Sequence, residues 1–540
     1  MFRHYPRFSG VLIGVLSAAL VSAQGRFNDY TKRFEKTPDQ ALVVGATLFG
    51  GQGTEWFSSG GFQPDGVVVA TGTCLGPALE SPVPVKVLGR DGAPPPPSPA
   101  VFKTDNRGKS QWVPPTWKNE NAAGFIVRYS PDLRTVLSVS RLPWRSGSIT
   151  SSVIGPQGEI YITGAAGDAI ASIAAPAREL PAQTASEAKS FSADHIYLAK
   201  LSPDGAKVLW VRTVRGPSAP PRVDINKNGQ IMLQGPDLRA FTPDGDVQRT
   251  LLIPGGLDGV VAVNLLNGQY ARGGERHSAT GREPWRCPTL NIFLPTGEHL
   301  HELYNWTGPY VGMDNIRQVS DSAVRGIAYD DEGNLLINAW SDGGNSVMQQ
   351  QPNDVRRNHG MFDRGLGMSV WGAGVLSAAY LIKIETANYK VTYGTLWLAY
   401  TPANKPNSAR INEMAVARDG SVAIAGASAM GLIRTGNHLA AGSPPAGPYV
   451  ALFSPKLDSL RFSTSLPACG RSVITGKTAN FGIASGVVQG RNRVLFLSGA
   501  AASESVYGSP ELPPPVTSGV AQPTFGGGAT DGHLLLLELN

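Results

Sequence analysis

Residues 533–539 read His533-Leu534-Leu535-Leu536-Leu537-Glu538-Leu539, an apolar strand at the C-terminal end, and residues 41–51 read ALVVGATLFGG, an apolar strand near the start. Each looks like part of a sheet that lacks its neighbour: no strand follows the first, and none precedes the second. Pairing them would complete one four-stranded unit and remove two open edges, which otherwise template aggregation.

The chain between them repeats one unit: an apolar strand, a tight turn, a second short apolar strand, a variable insertion, then two more strands joined by another turn. We label these strands A to D. The A–B turns include Gln63-Pro64-Asp65-Gly66, Gly155-Pro156-Gln157-Gly158, Asn226-Lys227-Asn228-Gly229, Asp331-Glu332-Gly333 and Arg418-Asp419-Gly420. Gly, Asn and Asp tolerate the positive φ of tight hairpins. The C–D turns carry a second signature, Ser130-Pro131-Asp132, Ser202-Pro203-Asp204-Gly205, Thr242-Pro243-Asp244-Gly245, Pro295-Thr296-Gly297 and Ser454-Pro455-Lys456. There Pro presets φ and Asp or Gly completes the reversal. Most B strands are expected to stop at a glycine, among them Gly72, Gly164, Gly235, Gly426 and Gly499.

A strands begin near residues 61, 151, 222, 259, 325, 412 and 484, giving seven units. Seven four-stranded units suit a closed ring. The expected fold is therefore all-β, a seven-bladed β-propeller of four-stranded antiparallel blades, closed by pairing the C-terminal strand with an N-terminal one. The alternation of Ser-Pro-Asp-Gly-like turns with strand pairs around Asp/Asn-Gly turns resembles the bacterial β-propeller repeat family abbreviated SBBP. The fit is best over residues 47–73, 124–164 and 195–235; the fifth and sixth units depart from it, with Glu385-Thr386-Ala387-Asn388 in place of the Pro turn. The resemblance implies the fold and an extracytoplasmic setting, and brings no catalytic residues with it.

Residues 1–23 read as a secretory signal: Arg3 and Arg7, an apolar run over 11–20, and Val21-Ser22-Ala23 as the small-x-small site, with cleavage after Ala23. A spacer over 24–40 and one propeller domain over 41–540 follow, and the product is expected to be secreted or periplasmic. The formal charge is +6, two units of which belong to Arg3 and Arg7. No clustered basic stripe is present, which argues against nucleic acid. No later apolar run reaches the length of a membrane span. Cys74, Cys287 and Cys469 are too few for a disulfide scaffold; export is compatible with one disulfide, and buried thiols are the simpler reading.

Chemistry-bearing motifs are sparse. His299 and His301 share a strand face without an evident third ligand, no H-E-x-x-H or G-x-S-x-G occurs, and the acidic stretch 321–333 lacks calcium-loop spacing, so its carboxylates are assigned to the hairpin turn. No metal and no cofactor are predicted. In a four-stranded blade the B–C and D–A connections share a face, and the long insertions 75–121, 165–193, 341–376, 430–446 and 500–530 all fall there. That face is the expected recognition surface, and residues 76–120 read as a surface insertion that the core can lose. Ligand candidates are Trp56, Trp144, Trp306 and Tyr310, with Trp397 and Tyr400 in similar positions, plus Asp342, Asn345, Arg356, Arg357 and His359. Packing between blades is the commoner fate of large aromatics, and a solvated loop accounts equally for the polar group. The preferred reading is a monomeric binding or scaffold protein for a protein, glycan or cell-envelope component. The alternative is a propeller enzyme, a hydrolase, lyase or quinone-dependent oxidoreductase, working at the channel mouth on that face.

Overall fold

Turn chemistry every few residues and strands apolar on both faces leave one way to bury this chain, sheet against sheet around a ring. The computed structural model describes residues 40–539 apart from interruptions, the longest at 93–101, 113–121, 181–194, 252–259, 278–285, 306–319, 363–376 and 472–479. The segment read as a signal lies outside the described residues. Seven antiparallel blades follow one another. In order A to D, blade 1 is Thr54–Phe62, Val68–Leu75, Ala123–Tyr129 and Val136–Arg141; blade 2 is Ser151–Ile154, Ile160–Ala166, His195–Leu201 and Val208–Arg215. Blade 3 is Arg222–Ile225, Ile231–Gln234, Leu238–Phe241 and Val247–Leu251, and blade 4 is Val260–Val263, Tyr270–His277, Arg286–Phe293 and His299–Leu303. Blade 5 is Ser322–Tyr329, Leu335–Ser341, Ala378–Glu385 and Lys390–Trp397, and blade 6 is Ala409–Val416, Val422–Ser428, Gly447–Phe453 and Leu460–Ser465. Blade 7 takes Gly482–Val488, Arg491–Ala500 and Asp531–Leu539 from the C-terminal end and Leu42–Phe49 from the other.

The closing pair runs antiparallel from Leu42 opposite Glu538 to Phe49 opposite Gly532, with a bulge between Val43 and Gly45. Leu534, Leu535, Leu536 and Leu537 are fully buried, because this strand is covered by blade 6 on one face and blade 1 on the other. Phe49 stacks on Phe125 of blade 1 at 5.5 Å between ring centroids, with Phe57 beside both.

The glycines expected to end the B strands have another use. Gly72, Gly164 and Gly426 lie inside strands that run on to Leu75, Ala166 and Ser428. A Cβ at these three would stand 2.1 Å from the Trp56 carbonyl oxygen, 1.9 Å from that of Ser148 and 1.8 Å from that of Arg410. Each lets the backbone of its own blade's inner strand, or for Gly164 the segment leading into that strand, cross at a distance no side chain permits. Gly499 is likewise interior, whereas the B strand of blade 3 does end at Gln234, just before Gly235.

The insertions leave the expected face but do not stay on it. They turn down the outside of the ring and cover the edge of the outermost strand. Val85–Val87 pairs in parallel with the D strand of blade 1, and Ala177–Leu180 does the same on blade 2. On blade 5 a small hairpin of Gln350–Gln351 and Asp354–Asn358 lies along the D strand, where Val391 N donates to Gln351 Oε1 and Asn353 Nδ2 donates to the Asn388 carbonyl. Segment 430–446 covers blade 6 through Ser463, whose N donates to Thr435 Oγ1 and whose Oγ donates to the Ile433 carbonyl. Segment 500–530 covers Leu42–Phe49, the outermost strand of blade 7, with Leu48 N donating to the Gln522 carbonyl and Thr517 N to that of Ala46. The described start of the first insertion, up to residue 92, is consequently packed onto blade 1, where a bare surface loop was the expectation. Leu79 and Leu88 are buried, and Asp91 forms an ion pair with the buried Arg141, which also stacks over Trp144.

Three outcomes are expected. Leu535→Ala removes a fully buried side chain from the closing strand and lowers unfolding free energy by about 2–5 kcal/mol, read from denaturant midpoints; truncation before Gly532 prevents cooperative folding. Asp91→Ala leaves Arg141 buried opposite no charge and costs about 1–3 kcal/mol by the same measurement, the lower bound reflecting the partial exposure of Asp91. His533 in the closing strand donates from Nε2 to the Pro515 carbonyl and is fully buried, which pushes its pKa down to about 4. The unfolded chain then takes up the proton first, so stability present above pH ~6.5 is lost as pH falls towards 4. His533→Gln flattens that slope between pH 7 and 4.5.

Candidate functional site

Seven A strands, one per blade, wall a central channel of about 940 Å³. Small residues such as Ser59, Gly61, Ser152, Ala262, Ala415 and Ser485 recur in its lining, where the inner strands converge on one axis. Among the ionisable groups in the wall, Arg222 of blade 3 reaches Glu413 of blade 6 at 3.5 Å, and Arg418 of blade 6 reaches Asp331 of blade 5 at 3.4 Å. Asp330, also in the wall, is held by Lys383 Nζ at 2.7 Å and accepts hydrogen bonds from Glu332 N and Asn334 N, closing its own hairpin as the sequence suggested. Asp224 is half-buried in the channel; burial raises its carboxyl pKa, opposed by the charge of Arg222 and a hydrogen bond from Gln234 Nε2.

A second group of charges stands on the face where B–C and D–A connections emerge, at the junction of blades 4 and 5. Glu275 closes the B strand of blade 4, Arg286 opens its C strand, Asp321 sits in the link to blade 5, and Arg325 lies in the first strand of that blade. Arg325 Nη2 is 2.9 Å from Glu275 Oε2, and Arg286 lies 3.7 Å from Glu275 and 3.8 Å from Asp321. Arg286 N also donates to Asp321 Oδ1, and the Arg325 guanidinium stands over the Trp340 ring. Asp342 joins this group: burial, then the charge of Asp321, raises its carboxyl pKa, with Arg286 pulling it back down. The cluster is of mixed sign and partly exposed, so it can recognise a polar partner by matching charge for charge.

Of the described residues singled out from the sequence, Asp342 joins this cluster and the others stand apart from it. Trp56 is buried against Leu75 and Ala122, and Trp144 is buried under Arg141. Trp397 is fully buried and donates from Nε1 to the Tyr449 hydroxyl at 3.0 Å, and Tyr400 is buried as well. These aromatics pack between strands and present no stacking platform. Trp306, Tyr310 and Asn345 lie outside the described residues. Arg356 pairs through Nε with Asp354 at 2.6 Å on the blade 5 hairpin, and Arg357 lies 3.4 Å from the same carboxylate, so both are on the outer wall and away from the channel. His359 is buried, donating from Nε2 to the Met348 carbonyl and accepting at Nδ1 from Met361 N; burial lowers its pKa to about 4 and it serves as a neutral staple.

His299 contacts Asn291, and His301 packs edge-on against Tyr389. Among the described residues no group of three or more His, Cys, Asp or Glu side chains converges as a metal cage. Cys74, Cys287 and Cys469 are buried in blades 1, 4 and 7 and form no disulfide. No helix among the described residues is long and apolar enough to cross a membrane. The sequence reading missed Glu275, Arg286 and Arg325 because they come from three strands. Asp321 carried a signal, an acidic run longer than its hairpin turn needs, that was assigned wholly to the turn.

No family model and no curated protein matches the chain. Many solved structures are similar to the chain, among them two at low identity. A protein of unknown function from Dyadobacter fermentans is 9% identical with a TM-score of 0.39, the match covering 93% of this chain and 100% of that one. BamB from Moraxella catarrhalis is 10% identical with a TM-score of 0.29, covering 79% of this chain and 96% of that one.

Proposed function

We propose that this chain is an extracytoplasmic binding or scaffold propeller that contacts a protein, glycan or cell-envelope component with the face around the blade 4–5 junction. The observation that carries this reading is the mixed-charge cluster of Glu275, Arg286, Asp321, Arg325 and Asp342, partly exposed on the face where the channel opens. A ring suits the role, because the described insertion segments are already bound to the outer strands and need no reordering on binding. Export rests on the pattern of residues 1–23. An enzyme working in the channel would rest instead on Asp224, whose raised pKa suits a proton donor.

Two measurements test this. Mass spectrometry of the chain recovered from outside the cytoplasm is expected to give an N-terminus at Gln24. Surface plasmon resonance against isolated envelope glycan and purified envelope proteins is expected to show binding that the double variant Arg286→Glu, Arg325→Glu weakens about tenfold or more, with the melting temperature little changed. Equal binding by the variant removes the blade 4–5 surface from the reading. Hydrolytic or lyase turnover that disappears in Asp224→Asn moves the assignment to the enzyme.

A further inference from the structure

The seam where the ring closes contains a pair of carboxylates that the fold does not neutralise. Glu55, at the start of the first A strand, and Asp531, at the start of the last C strand, are 476 positions apart in sequence and both fully buried. Asp531 Oδ2 accepts from Gly526 N at 2.7 Å and from Gln522 Nε2 at 3.0 Å, and Glu55 Oε2 accepts from Gly51 N at 3.4 Å. The remaining oxygens, Asp531 Oδ1 and Glu55 Oε1, are buried with no hydrogen-bond partner. The carboxylates face each other across Gly50: a Cβ there would stand 2.6 Å from Asp531 Oδ1 and 2.8 Å from Glu55 Oε2. Glu80, from the first insertion, borders the same loop, with its Oε2 2.5 Å from where a Cβ on Gly51 would be.

The charges acting on Glu55 are those of Asp531 and Glu80, and on Asp531 that of Glu80, all negative. Burial first, then these neighbours, raises the pKa of Glu55, and that of Asp531 is pushed up to about 6. A buried anionic pair is unstable unless it takes up a proton or a cation. Three observations favour the cation. The donors already on Asp531 Oδ2 and Glu55 Oε2 fit ionised carboxylates. An oxygen with no partner remains on each group, Asp531 Oδ1 on the Gly50 side facing Glu55 and Glu55 Oε1 on the Gly53 side of the same loop. The glycine loops 50–53 and 526–528 pack on each other at this seam, a Cβ on Gly526 falling 2.4 Å from the Gly50 oxygen, and that carbonyl, which accepts from Gln522 Nε2 at 3.3 Å, keeps a second lone pair. Hard divalent cations take oxygen ligands of these kinds and complete their shell with water.

We propose that Glu55 and Asp531 form a site for a hard divalent cation of the Ca²⁺ class, which ties the two ends of the chain together at the closing seam. The full chain, stripped with chelator, is dialysed against CaCl2 and melted with and without it. One Ca²⁺ bound per chain and a melting temperature raised by at least about 2 °C are expected, both lost in Glu55→Gln and Asp531→Asn. Absence of binding and of any rise in the unsubstituted chain overturns the proposal whether or not the variants fold. In that case, variants that melt higher than the parent in chelator at pH 8 identify the pair as one that shares a proton.

Discussion

A ring of sheets is stable only if it has no first and last member, and here that condition is met by one strand pair. Blades 1 to 6 are each built from one contiguous stretch of sequence, so their internal pairings stay within that stretch even where an insertion separates paired strands. The seventh borrows Leu42–Phe49 from the other end of the chain, and its pairing with Asp531–Leu539 is the longest-range contact in the fold. Without it, blade 6 and blade 1 would each expose a face built to be buried: Phe462, Leu466 and Val450 on one side, and Phe57, Phe125 and Val127 on the other. Closure therefore decides whether the apolar surface of both neighbours is buried at all, and a few hydrogen bonds carry the consequence for two interfaces.

Closing the ring removes edges around the circle but leaves each blade an outer edge, the D strand. Blades 1, 2, 5, 6 and 7 cover theirs with their own insertions, by a parallel fifth strand, a hairpin or an irregular strap. The D strands of blades 3 and 4 are largely exposed instead and carry polar or charged side chains, Gln248 and Arg249 on one and His299, His301 and Glu302 on the other. Both are answers to the same hazard of open backbone hydrogen bonds. The described parts of the long insertions so read as the covering of the larger edges.

What the sequence made legible was local. Tight turns with Gly, Asn, Asp or Pro located the hairpins, and the apolar strands between them gave seven blades and the closing pair, because turn chemistry and alternation are short-range properties. The A strands of blades 2 and 3 begin where the turns put them, at Ser151 and Arg222, whereas that of blade 1 begins at Thr54, well before residue 61. Gly72, Gly164 and Gly426 were misread as strand ends because a glycine demanded by a crossing backbone looks the same in sequence as one demanded by a turn. Trp56, Trp144 and Trp397 stand among the ligand candidates with packing between blades as their commoner fate, and burial is what the structure shows. The charge cluster and the Glu55–Asp531 pair escaped for one reason: each is assembled from separate blades, and no spacing along the chain encodes it.

The closing strand poses a further problem that its composition cannot solve. Leu534 to Leu537 are four identical side chains buried on both faces, so sliding the strand by one residue would replace leucine with leucine and change the hydrophobic term little. Register must come from the flanks, where the residues differ. At one end Glu538, which is buried, is gripped by Arg491 and by Arg493, whose Nη2 lies 2.8 Å away, and a slip would leave it without its partners. At the other, His533 is tied to the Pro515 carbonyl and Asp531 to Gln522 and Gly526. A bulge between Val43 and Gly45 fixes the phase of the partner strand. Because an orphaned buried polar group costs about 1–3 kcal/mol and more when charged, these few groups discriminate between registers that the leucines treat alike. The apolar run supplies the affinity of the closure, and its polar ends supply the single alignment in which the ring shuts.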